Sequence, residues 1–136
     1  MVIDTSRAAW NLLRDKVRLD VEEVWVIGLD SALQALGVEM LFRGTANRCL
    51  AHPRDIFRTV IRWNSISFIL AHSHPSGNLM PSDEDIRFTR QLAKGAALLG
   101  LEVEDHLIIC QNGYYSFRDS GISFRAHRRG VLAGFL

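Results

Sequence analysis

Two short runs, Val24-Trp25-Val26-Ile27-Gly28-Leu29 and Ile66-Ser67-Phe68-Ile69-Leu70-Ala71, are apolar at successive positions rather than at alternate ones. Side chains along a strand point to opposite faces, so such runs need cover on both sides. Each reads as a buried strand, and the chain around them must supply the covering layers. Ser6 to about Lys16 has helical spacing at Ala9, Leu12, Leu13 and Lys16, with Asp4, Thr5 and Ser6 as available caps. Asp30-Ser31 makes a turn, Leu33 to Phe42 a neighbouring strand, and Arg43-Gly44-Thr45 a break before a short extended piece toward Leu50. Pro53 suits the first position of a helix whose apolar stripe is Ile56, Phe57, Val60, Ile61 and Trp63. A further helix opens at Ser82, runs to about Leu99 and stops at Gly100. Leu101 to Cys110 and Tyr114 to Phe117 follow as strands joined at Gln111-Asn112-Gly113, where Asn-Gly signals a hairpin. Strands and helices alternate irregularly. The expected class is therefore α/β of the α+β type, a mixed central sheet covered by helices, not a regular doubly wound fold.

At 136 residues the chain suits one domain, residues 1–136, with a core at about 21–121 and a basic-apolar tail at 122–136. A net charge of +1 makes no electrostatic case for a dedicated nucleic-acid binder. No apolar run approaches the roughly 20 residues that span a bilayer, and Met1 to Trp10 is no signal peptide. The cytoplasm is the expected location, with no membrane partner. Cys49 and Cys110 share no C-x-x-C spacing and read as buried free thiols. In the tail, Arg125, Arg128 and Arg129 precede Val131 to Leu136. Two readings stand open: docking on the body or on a second copy as a homodimer, or a disordered terminus.

The chemistry concentrates in His72-Ser73-His74-Pro75-Ser76-Gly77-Asn78-Leu79-Met80-Pro81-Ser82-Asp83-Glu84-Asp85. Residues two apart on a strand share a side, so His72 and His74 can offer two imidazoles to one point at the mouth of a buried strand. A carboxylate from the next helix would complete three ligands and leave a position for water, as a catalytic zinc requires. Ser82-Asp83-Glu84-Asp85 has a second explanation, a helix capping box. Capping accounts for Ser82 and one acid, but not for the histidines before them.

H-x-H, seven intervening residues and S-x-x-D resemble the metal-binding signature of the JAMM (MPN+) metalloprotease family. Leu41-Phe42-Arg43-Gly44-Thr45, His52-Pro53-Arg54, Ala71 to Gly77, Pro81-Ser82, Thr89 and Asp105-His106-Leu107 narrow the resemblance to its bacterial RadC-type branch, over roughly Val21 to Gly121. The resemblance implies a JAMM/MPN-like, cytidine-deaminase-like layered fold and one Zn2+ per chain on His72, His74 and Asp85. It implies that Ser82 helps hold the water and the oxyanion. It places a general acid/base glutamate at the start of an upstream strand, where Glu22 and Glu23 both stand; the pattern falls on Glu22, leaving Glu23 as a solvated strand-edge acid. The implied activity is a zinc metallopeptidase acting on an amide or isopeptide bond of a protein or peptide. RadC-type sequences often carry Asn where Ser73 stands, a position outside the ligand set. Longer members begin with a helix-hairpin-helix segment, for which the residues before the first strand leave no room.

Other residues read more plainly. His52 before Pro53 is structural, and His127 among arginines is solvated. Asp105-His106 reads as core packing, or else as a carboxylate that orients a ring or a pair that stands behind the metal ligands. Gly28 and Gly44 form no phosphate loop. The competing function is a non-catalytic protein- or DNA-interaction module linked to repair, drawing on Arg54, Arg58, Arg62, Arg87 and Arg90. An iron oxygenase triad fits less well, since its usual local spacing is H-x-D/E with a distant histidine.

Overall fold

The computed structural model describes residues 1–44 and 51–124. Thr45, Cys49, the extended piece toward Leu50, His127 and the arginine-bearing apolar tail lie outside the described residues. Along the chain run α1 (Ser6–Leu13), β1 (Glu22–Leu29), β2 (Ala35–Gly44), α2 (Pro53–Arg62), β3 (Ser67–Ser73), α3 (Asp83–Leu98), β4 (Glu102–Cys110) and β5 (Gly113–Ser116). The five strands form one mixed sheet in the order β2-β1-β3-β4-β5. Only β3 and β4 are parallel, and α3 makes the crossover between them. No described helix is long and apolar enough to cross a membrane.

The two both-sided apolar runs lie at the middle of the sheet, and alternate residues of each feed separate cores. Val24, Val26, Phe68, Leu70 and Ile108 face α2 and α3 and pack with Ile56, Val60, Leu92 and Ala96. Ile27, Leu29, Ile69, Ala71, Leu107 and Ile109 face the other way, onto Ala9 and Leu13 of α1. One helix therefore covers one face and two cover the other, which is the layered arrangement the apolar runs demand. Ser6 fastens α1 to the far end of the chain: its hydroxyl donates to the Asp119 carboxylate and lies 3.1 Å from the Tyr114 hydroxyl. Asp105 fastens β5. Its buried carboxylate accepts from the Ser116 hydroxyl (2.5 Å), the Arg118 amide (3.0 Å) and the His106 amide (2.7 Å).

The stripe expected on α2 holds at Ile56, Phe57, Val60 and Trp63, but Ile61 is 49% exposed. Five residues from Ile56, it stands about 140° around the helix and misses the core face. Trp63 follows the helix and lays its indole on a glycine pair, since Gly28 and Gly37 are register partners on β1 and β2. A Cβ added at Gly37 would stand 2.4 Å from Trp63 Cε2, and one at Gly28 2.6 Å from Trp63 Cε3. The glycines are thus packing residues. Gly37→Ala is expected to lower stability by about 1–3 kcal/mol, as overpacking does, read from the urea midpoint. An unchanged midpoint would mean that Trp63 moves freely.

Candidate metal centre

β3 ends in the sequence that carries the chemistry. Its last residues are His72 and Ser73, and the His74 amide still bonds the Ile109 carbonyl at 3.1 Å, which keeps the chain extended one residue further. His72 and His74 consequently leave the sheet on one side, with ring centroids 4.5 Å apart. Ser82 then caps α3, which aims its first turn at the two rings. The capping box is complete: the Ser82 hydroxyl accepts from the Asp85 amide at 3.0 Å, and Asp85 Oδ2 accepts from the Ser82 amide at 2.9 Å. The same carboxylate faces the histidines. His72 Nε2 is 3.7 Å from Asp85 Oδ1, His74 Nε2 is 3.6 Å from Asp85 Oδ2, and the two Nε2 atoms are 2.7 Å apart. Capping and ligand readings of Asp85 are therefore not rivals, because the cap is what holds the carboxylate in place.

This donor set fits a cation. The Asn78 carbonyl can only accept, so the His74 Nδ1 that lies 2.8 Å from it carries the proton and leaves Nε2 bare. A bare nitrogen and a carboxylate oxygen then face one another with only acceptor character between them. Ligands on a tetrahedral zinc lie roughly 3.3 Å apart, and the three separations bracket that value. Among the described residues, His72, His74 and Asp85 are the group able to hold a metal.

The pleat separates the two upstream glutamates. Val24 pairs with His72 across β1 and β3, so Glu22, two residues earlier, emerges on the His72 side, and Glu23 on the α1 side. Glu22 lines an open groove of about 370 Å3 with His74, Pro75, Ser76, Asn78, Met80, Pro81 and Ser82. Glu23 is not the solvated edge acid expected: it is fully buried. Its carboxylate pairs with Arg43 (2.7 Å) and accepts from the Trp25 indole and the Arg18 amide, both at 2.9 Å. Ser73, outside the ligand set, has a structural task that sequence reasoning missed. Its hydroxyl donates to the Val21 carbonyl at 2.7 Å and accepts from the Glu23 amide at 2.9 Å, tying the start of β1 to the end of β3.

His106 is buried, as core packing requires, but the reading of Asp105 as the carboxylate that orients its ring fails. Its partner is not the Asp105 side chain, which lies on the opposite face and takes only the His106 backbone amide. The His106 ring stacks on Phe117, with centroids 4.4 Å apart, and places Nε2 2.7 Å from His72 Nδ1. His52 caps α2, its Nδ1 accepting from the Arg54 amide. Cys110 is a buried free thiol.

Residues 3–122 match the RadC-like JAB domain. The chain belongs to that family. It is 42% identical over 119 residues to a UPF0758 protein of Thermotoga maritima, covering 88% of this chain and 54% of that one. The match to a UPF0758 protein of Trichormus variabilis is 44% over 118 residues, 86% and 49% of the two chains. That to one of Enterococcus faecalis is 35% over 118 residues, 87% and 51%. The chain spans about half the length of the curated relatives it matches.

Burial sets the electrostatics of this JAB domain. It raises the Glu22 carboxyl above its ordinary range, with the Asp85 charge adding and His74 opposing. For Asp85, burial acts upward but is outweighed by His74, His72 and the Ser82 cap, and the group falls well below the carboxylate range. His74 is raised, first by Asp85, against burial. His72 is lowered to about 4 by burial, against Asp85, and His106 well below its ordinary 6.5 by burial and by His72.

His72 and His106 are thus neutral in the folded, metal-free domain and take up protons on unfolding. A depressed histidine contributes stability that is full above the unfolded value of 6.5 and is lost as pH falls toward the folded value of about 4. His74 acts in the opposite sense and offsets part of the loss. In chelator, the urea midpoint is expected to drop between those two pH values. A midpoint that climbs over the same interval would contradict the neutral buried pair.

Proposed function

We propose that this RadC-like JAB domain is a zinc-dependent hydrolase that cleaves an amide or isopeptide bond in a protein or peptide substrate. The observation carrying the proposal is the convergence of two imidazole nitrogens and a helix-capping carboxylate, with one of those imidazoles, His74, lining the same groove as Glu22 and Ser82. Zinc held by His72, His74 and Asp85 would supply a water of lowered pKa and a Lewis acid for the scissile carbonyl. The remaining work falls to the chain. Glu22, raised by burial, is suited to take a proton from the attacking water and return it to the leaving amine. Ser82 spends its oxygen lone pair on the Asp85 amide, so its hydroxyl proton remains available to an oxyanion in the groove. Pro75, Met80 and Pro81 give one wall an apolar surface for the residues flanking the cleaved bond.

Three of the five arginines that favour an interaction module have other engagements. Arg58 pairs with Asp55 at 2.9 Å, Arg62 with Glu39 at 3.1 Å, and Arg90 donates to the Ser123 carbonyl at 2.8 Å. Purified protein should carry one zinc per chain, cleave members of a peptide and isopeptide library, lose that cleavage in chelator and regain it with zinc. Failure to bind zinc after supplementation would end the hydrolase reading.

A further inference from the structure

A second path joins Asp85 to His72, and it runs through the interior. Thr89 lies one turn beyond Asp85 on α3 and is fully buried. Its hydroxyl has a single proton, and the Asp85 backbone carbonyl, 2.9 Å away, can only accept it. The Thr89 oxygen must therefore act as acceptor toward His106 Nδ1, at 2.6 Å. That places the His106 proton on Nδ1 and leaves Nε2 bare. Nε2 in turn faces His72 Nδ1 at 2.7 Å, so the shared proton belongs to His72 Nδ1. His72 Nε2 is left with its lone pair directed at His74 and Asp85. The opposite polarity would set two acceptors, the Thr89 oxygen and the Asp85 carbonyl, against each other at 2.9 Å within α3, away from the Nε2 atoms where a cation would relieve such a contact.

We propose that Thr89 and His106 are positioning residues that fix the tautomer of His72 and so keep its Nε2 available as a metal ligand. The inference rests on the metal-site reading above. A ligand histidine is usually oriented by a carboxylate or a backbone carbonyl on its other nitrogen. Here a neutral imidazole fills that place. The ring is held by Phe117 on its face and by Asp105 through its backbone amide. One helix supplies both the ligand Asp85 and, four residues on, the hydroxyl that sets the proton on the facing ligand. Thr89 and His106 touch no reacting atom and act only through His72.

The test uses the whole chain and two readouts. Zinc affinity is measured by competition with a chromophoric chelator, and histidine tautomers by long-range proton–nitrogen correlation on metal-free, nitrogen-15-labelled protein at about pH 8, above the ordinary histidine range. In the wild type His72 should carry its proton on Nδ1. Thr89→Val keeps the shape and removes the acceptor; it should move the His72 proton toward Nε2 and weaken zinc binding by roughly 10- to 100-fold. Thr89→Ser restores the hydroxyl and should restore both. The proposal is overturned if Thr89→Val, folded by its amide spectrum, keeps the wild-type tautomer and affinity, or if Thr89→Ser falls as far as valine. Should the valine variant fail to fold, the wild-type spectrum decides alone, and a His72 proton on Nε2 overturns the relay. A wild type that binds no zinc would sink the metal-site reading instead, while the tautomer measurement still tests the relay.

Discussion

Glu22→Gln is expected to lower kcat for peptide hydrolysis by about 10^2- to 10^4-fold, the usual contribution of a general base, with zinc content unchanged. Glutamine keeps the shape and cannot take a proton. Glu22 emerges on the His72 side of β1 and lines the groove with His74 and Ser82, yet it is outside the set that would bind the metal. Glu23→Gln is the informative contrast. That carboxylate is buried on the α1 side, with Arg43, the Trp25 indole and the Arg18 amide around it. Because Arg43 is 46% exposed and can turn to solvent, the loss should stay near 1–3 kcal/mol, with turnover per folded molecule little changed. Denaturation midpoints and steady-state kinetics on both variants separate the two roles. The assignment fails if Glu22→Gln retains full turnover, or if the Glu23 variant is the one that stops it.

That contrast marks where sequence reading stops. Which glutamate shares a face with His72 depends on β1–β3 register, a pairing of Val24 with a residue 48 positions away. Alternation along one strand says only that Glu22 and Glu23 differ; it does not say which faces α3. Signals confined to a few neighbouring residues were legible: the buried runs of β1 and β3, the capping box at Ser82 and Asp85, Pro53 opening α2, and the hairpin whose turn is Gln111-Asn112. Features made by distant residues were not. Nothing local to Gly28 and Gly37 announces that Trp63 lies across them, and Ser73 looks dispensable until β1 is placed beside β3. His106 was legible as buried but not as a partner of His72, since its neighbour Asp105 suggested a carboxylate that in fact points to the other face. The strand order β2-β1-β3-β4-β5 follows from how α2 and α3 carry the chain across the sheet, which no single segment encodes.

His72→Ala and Asp85→Asn should each weaken zinc binding by well over the roughly 100-fold that marks the upper end for a residue acting behind a ligand. The two variants test different parts of the same point. His72→Ala removes a buried nitrogen whose ring lies between His106 and His74. Asp85→Asn removes the charge but keeps an oxygen able to accept the Ser82 amide, so the cap of α3 survives. The metal-free asparagine variant should therefore keep α3 folded and lose only what the Asp85 charge contributes beside His74 and His72, whereas added zinc should raise the melting temperature of the wild type alone. Such stabilisation grows as RT ln(1 + [L]/Kd), so a 100-fold weaker site forfeits up to about 2.7 kcal/mol at zinc concentrations that saturate the wild type. Ligand loss and helix loss are thereby distinguished in one experiment. If both variants retain zinc at wild-type affinity, the three atoms that meet between β3 and α3 do not hold the metal, and Glu22 and Ser82 lose the centre around which their roles are assigned.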